Sequence, residues 1–129
     1  MSGWYLDTSA ALKLLIEEAE SSALAIELDE QEPELVACHL LETELRRVVH
    51  RVDQLTHEAV TELLDSVDLY DVPASLYREA GYLPGASLRS LDALHLAAAV
   101  RIGVDNLVTY DTRLSDAARD LGIAVVAPR

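Results

Sequence analysis

Two aspartates fall where an acid can do chemistry. Asp7 closes the apolar run Trp4-Tyr5-Leu6 just ahead of a helical pattern, and Asp111 closes Leu107-Val108-Thr109-Tyr110 in the same way. An acid at such a position caps the helix that follows. In an open α/β sheet it also faces the crevice beyond the carboxyl ends of the strands, where ligands bind. One such residue is explained by capping. Two at matching strand ends, with Thr109 two residues before Asp111, point to a site. Asp92 strengthens this. The helix Leu91–Val100 is apolar around nearly its whole circumference, and a helix of that kind is buried. An ionised carboxylate there needs a partner or a metal, although the helix dipole favours its charge in the first turn. His95, one turn on, reads as a core histidine with one hydrogen bond and is left out of the site.

Glu44 is the fourth acid. On a helical wheel it falls between Leu40 and Val48 and interrupts an apolar stripe, whereas Glu42 falls on the solvent margin. Arg47 and Arg51 flank Glu44. They either pair with acids such as Glu44 or contact phosphate, and the sequence leaves both readings open. Asp116 lies opposite Leu114, Ala118 and Leu121 and reads as a solvated surface residue. Carboxylates brought together repel one another and remain ionised only if a cation neutralises them. Oxygen donors of this kind select Mg²⁺ or Mn²⁺ over softer metals.

Alternating strands and helices must position these groups. Strands are expected at Trp4–Asp7, Leu35–Cys38, Leu69–Val72, Leu107–Tyr110 and Ala124–Val126. Helices are expected at Ala10–Glu18 (capped by Thr8 or Ser9), Ser21–Glu30, Leu40–Val52, Thr56–Val67, Ala74–Gly81, Leu91–Ile102 (capped by Ser90) and Thr112–Leu121. Pro33 and Pro73 end elements, Gly103 stops a helix, and Tyr82–Arg89 reads as a loop. Strands alternating with helices imply a central parallel sheet with helices on both faces, a small α/β/α sandwich. The 129 residues, half of them hydrophobic, suit a single domain over 1–129.

Charge at first argues against a nucleic-acid partner. The chain has 23 acids and 10 bases, a formal −13, and phosphate contacts need a basic surface. Placement changes that reading. Residues 1–34 hold nine of the acids and only Lys13, the sole lysine; eight of those acids lie between Glu17 and Glu34, on the early helices. That cluster reads as a solvated face. The arginines concentrate later, at Arg46, Arg47, Arg51, Arg89 and Arg113, so the overall charge does not veto a phosphate-bearing partner. Cys38 is the only cysteine and reads as a small buried residue in a reducing compartment. No signal peptide or membrane-length apolar run is evident, so the expected location is cytoplasmic.

The acids sit in motifs that resemble those of PIN domains, and within them the VapC-type toxins of bacterial toxin–antitoxin pairs. Leu6-Asp7-Thr8-Ser9-Ala10 looks like the family's first-strand motif. Glu44, in Leu41-Glu42-Thr43-Glu44-Leu45-Arg46-Arg47, sits where the family keeps a helical glutamate. Asp92, in Leu91-Asp92-Ala93-Leu94-His95-Leu96-Ala97, and Asp111, in Val108-Thr109-Tyr110-Asp111-Thr112-Arg113-Leu114, match its third and fourth acids. The resemblance extends over essentially the whole chain. It implies a metal-dependent endoribonuclease that arrests translation, a homodimer, and a cognate VapB-like antitoxin that inserts a basic residue into the acidic pocket. The catalytic set is then Asp7, Glu44, Asp92 and Asp111. Asp7, Asp92 and Asp111 would hold Mg²⁺ or Mn²⁺, and Glu44 would orient or deprotonate the attacking water. Thr8, Ser9 or Thr109 would hold carboxylates or touch substrate, and Thr8, Arg47, Arg51 and Arg113 would meet the RNA. Two other readings compete: a PIN-like interaction module without activity, and a phosphoaspartyl protein. The second lacks both an Asp at position 9 and a late lysine.

Overall fold

The computed structural model describes residues 3–129. Twelve elements follow in order: β1 (Gly3–Leu6), α1 (Thr8–Leu15), α2 (Ser21–Gln31), β2 (Glu34–Cys38), α3 (Leu40–Val49), α4 (His57–Asp65), β3 (Asp68–Tyr70), α5 (Ser75–Tyr82), α6 (Ser90–Ile102), β4 (Asn106–Val108), α7 (Thr112–Asp120) and β5 (Ala124–Val126). The strands form one parallel sheet in the order β3-β2-β1-β4-β5. A strand covered on both faces must be apolar along its length. Trp4, Tyr5 and Leu6 meet that requirement at the centre, as do Val36, Ala37 and Cys38 beside them; all six are buried.

The first crossovers carry the chain from β1 outward to β2 and β3, and the next returns it past β1 to β4. Right-handed crossovers in opposite directions place their helices on opposite faces of a sheet. The packing agrees: α1 lies against α2, α3 and α4, while α6 lies against α5 and α7. The result is the expected α/β/α sandwich. The reversal falls between β1 and β4, the switch point at which the carboxyl edge of such a sheet opens into a crevice. Leu6 is in register with Val108, so Asp7 and Thr109 leave the sheet side by side.

Several boundaries differ from the sequence reading for local reasons. The α1 cap is Asp7, whose Oδ1 accepts from the Ala10 amide at 2.9 Å, and not Thr8 or Ser9. Helix α3 ends at Val49 because the chain turns back over the next residues, with the Arg51 and Val52 amides both donating to the Val48 carbonyl. Arg51 therefore lies beyond the helix. The N-cap of α6 is Arg89, without a side-chain bond, and not Ser90; its other end turns left-handed at Gly103, φ 79°, a conformation that a side chain would strain. Nor is α6 buried all round: Leu91 is 49% and Val100 50% exposed. Its 13 residues run about 20 Å and pack against α5, α7 and β2.

Candidate active site

Asp7 is buried, at 3% exposure, and its carboxylate is held by donors from three directions. Thr109 Oγ1 donates to Oδ2 at 2.6 Å, Ser9 Oγ donates to Oδ1 at 2.8 Å, and the Ala10 amide caps Oδ1. Burial disfavours its charge more than these bonds restore it, and the carboxyl is pushed up to about 6. Thr109 also ties Asp7 to Asp111, because the Asp111 amide donates to Thr109 Oγ1 at 3.1 Å. Asp111 in turn caps α7, accepting from the Leu114 amide at 3.0 Å. Capping and site geometry are thus one arrangement at both strand ends: the bond that starts the helix also fixes the carboxylate.

Glu44 is held differently. Its Oε1 accepts from Thr8 Oγ1 at 2.7 Å and from His95 Nε2. Burial raises this carboxyl, but the hydrogen bond and charge of His95 outweigh burial and lower it overall. Asp92, in the first turn of α6, moves the other way. Burial raises it, and the charge of Asp111 and that of Glu44 add to the rise against opposing help from His95 and Arg89. Asp92 therefore senses acids from both halves of the edge. Among the described residues, however, no three His, Cys, Asp or Glu side chains stand close enough to enclose a metal ion as placed. The acids form two braced pieces, Asp7 with Asp111 and Glu44 with His95, and Asp92 feels the charge of both.

The remaining expected residues divide. Thr8 braces Glu44. Arg47 and Arg51 border a groove of about 380 Å³ that runs past Thr8 and Glu44, and among the described residues neither forms an ion pair. Arg46 instead is a strut between α3 and α4: it bonds Glu42 at 2.8 Å, Thr61 at 2.9 Å and His57. Arg113 is exposed on α7 beside Asp116 and Asp120. Asp116 is solvated, 3.9 Å from Arg119. Two residues proved larger than their sequence reading. Thr109 is the hinge between two acids, and its place two residues before Asp111 was the available signal. His95, read as a core residue with one bond, has two, and one of them reaches Glu44 from the opposite helical layer. No pattern within α6 predicts that contact.

The PIN domain family model matches residues 4–120. The chain belongs to the PIN domain family. Among PIN relatives, ribonuclease VapC35 of Mycobacterium tuberculosis is 43% identical over 129 residues, covering 96% of each chain. Ribonuclease VapC46 of the same organism is 42% identical over 130 residues, covering 99% of each. The PIN fold is shared with a solved structure of M. tuberculosis VapC20, described as a sarcin–ricin loop cleaving toxin. That match has a TM-score of 0.70 and 21% identity, and covers 88% of this chain and 94% of the other. The chain is therefore a VapC-type PIN domain in sequence and fold.

Proposed function

We propose that this PIN domain, taken as one unit over residues 1–129, is a divalent-metal-dependent endoribonuclease and the toxin of a toxin–antitoxin pair. The observation that carries the reading is electrostatic. Asp7 and Asp92 are both raised at one sheet edge, Asp7 by burial and Asp92 by burial and the charges of Asp111 and Glu44. An edge of this kind is short of positive charge. Its donors are carboxylate oxygens, which suit a hard cation such as Mg²⁺ or Mn²⁺. The names of the relatives as ribonucleases supply the substrate class.

Asp7, Asp92 and Asp111 would hold the cation. When bound, it supplies charge neutralisation and Lewis-acid polarisation of the phosphodiester. Glu44, kept ionised by His95, accepts a proton from the attacking water. A bond forms between that oxygen and phosphorus, the bond to the leaving oxygen breaks, and the leaving oxygen takes a proton from solvent. Arg47 and Arg51 hold the phosphate backbone along the groove. Tyr77, Tyr82, Leu91, Val100 and Leu121 are large apolar side chains left exposed; homodimerisation and a VapB-like antitoxin would cover such surface. Among the described residues no helix is long and apolar enough to cross a membrane, in keeping with a cytoplasmic site of action.

A second reading, a PIN-like module without activity, is favoured by the lack of three ligating side chains within ready reach among the described residues. Cleavage of a mixed cellular RNA pool separates the two. Wild type with Mg²⁺ or Mn²⁺ should cut, and chelator, Asp7→Asn or Asp92→Asn should abolish cutting. Intact RNA with either ion, or cutting that survives both substitutions, overturns the nuclease reading.

A further inference from the structure

His95 is buried at 1% exposure within the apolar helix α6, yet both its ring nitrogens are engaged. Nδ1 lies 2.7 Å from Tyr5 Oη, and Nε2 contacts Glu44 Oε1. Tyr5 Oη also accepts from the Cys38 amide at 3.4 Å and can donate to Cys38 Sγ at 3.3 Å. A phenol has one proton. With that proton on the Cys38 side, Nδ1 must donate to Oη. Nε2 faces a carboxylate and must donate as well. An imidazole that donates from both nitrogens is a cation. Burial opposes that charge, but the Cys38 sulfur and the Glu44 carboxylate outweigh it and push the group up to about 10.

The same contact orients Glu44. Both of its bonds, from Thr8 and from His95, end on Oε1. Among the described residues Oε2 accepts none, so one carboxylate oxygen is pinned and the other is left for a water. The brace joins α3 in one helical layer to α6 in the other, with β1 behind it. We propose that His95 is a positioning residue, a buried imidazolium that fixes the Glu44 carboxylate for proton transfer and gives the acidic edge a resident positive charge. The inference rests on the nuclease reading for its kinetic consequence alone; the brace is a property of the metal-free fold.

The test combines kinetics with nitrogen NMR. His95→Gln should lower kcat about tenfold to a hundredfold, the usual cost of losing an outer brace in such sites, and leave KM within about twofold. Combined with Glu44→Gln it should be no slower than Glu44→Gln alone, because both changes remove the same function. In metal-free wild type near neutral pH, both ring nitrogens of His95 should show protonated shifts, and Glu44→Gln should move the Nε2 signal. Losses that multiply in the double variant overturn the positioning role. A neutral wild-type ring, or an Nε2 signal indifferent to Glu44→Gln, overturns the brace. The NMR arms need no activity and no substitution at His95. They decide the brace even if His95→Gln fails to fold or wild type cuts no RNA, the latter result counting against the nuclease reading and not against the brace.

Discussion

At the scale of single residues, Asp7 carries opposed duties. Its carboxylate starts α1 and lines the proposed catalytic edge, and burial makes its ionisation costly. Asparagine keeps the cap acceptor and removes the charge. Asp7→Asn should therefore abolish cleavage while raising the melting temperature of the metal-free protein at pH 8, measured by calorimetry. Thr109 is a second lever. Its hydroxyl lowers the Asp7 carboxyl, so Thr109→Val should move the acid limb of the rate–pH profile upward; an unmoved limb would show that Asp7 does not set it. Asp7 and Asp111 were legible in the sequence because their positions follow from strand ends. Glu44 was legible because it breaks an apolar stripe. His95 was not, since its meaning comes from a residue on another helix, 51 positions away.

At the scale of elements, α3 and the turn that follows it present three arginines with different work. Arg46 is clamped to Glu42, Thr61 and His57, while Arg47 and Arg51 border the groove. Arg46→Ala should destabilise the α3–α4 pair by about 1 kcal/mol in chemical denaturation, with kcat unchanged. Arg47→Ala with Arg51→Ala should leave stability unaltered, weaken RNA binding and reduce the salt slope by about one per arginine. If the double substitution leaves binding and slope alone, the groove does not carry the phosphates. The order and type of all twelve elements were readable from periodicity and from proline and glycine. Their ends were not, because local bonds set them: the Val48 carbonyl turns the chain after α3, and Asp7 displaces Thr8 and Ser9 as a cap. The exposure of Leu91 and Val100 on α6 depends on how the assembled layers cover that helix, which the pattern of one helix does not carry.

At the scale of the whole molecule, the formal −13 is divided by geometry. Exposed Asp29 and Glu30 on α2 face solvent, and Lys13 is occupied by Glu20 at 3.1 Å and Glu18 at 3.5 Å. The buried charges give the metal-free fold a definite pH response. Asp7 is raised from 3.8 to about 6, so the native state binds the extra proton between those values and stability falls as pH rises through them. His95 is raised from 6.5 to about 10, so its contribution is complete below 6.5 and is lost as pH rises toward 10. Tyr5, Cys38 and Glu44 face it, with Asp7 and Asp92 in its field. Metal-free protein should therefore melt at progressively lower temperature from pH 5 to pH 9. Added Mn²⁺ should reverse the trend, because it binds the ionised edge. A metal-free melting temperature that climbs over that range would contradict both assignments.

The central strand lies at the start of the chain, and its neighbour β4 lies near the end. During synthesis Asp7 leaves the ribosome early with Ser9 beside it, but the second hydroxyl that orients it belongs to Thr109, 102 positions later. The intervening residues must wait for that contact, and the long loop makes its closure slow. A nascent or prematurely terminated polypeptide lacking β4 therefore holds Asp7 without its bracket and Glu44 without a completed edge. For a protein whose activity would harm the cell that makes it, translation itself would act as a safety catch: partial products should be inert, and potency should arrive only with the final fifth of the message.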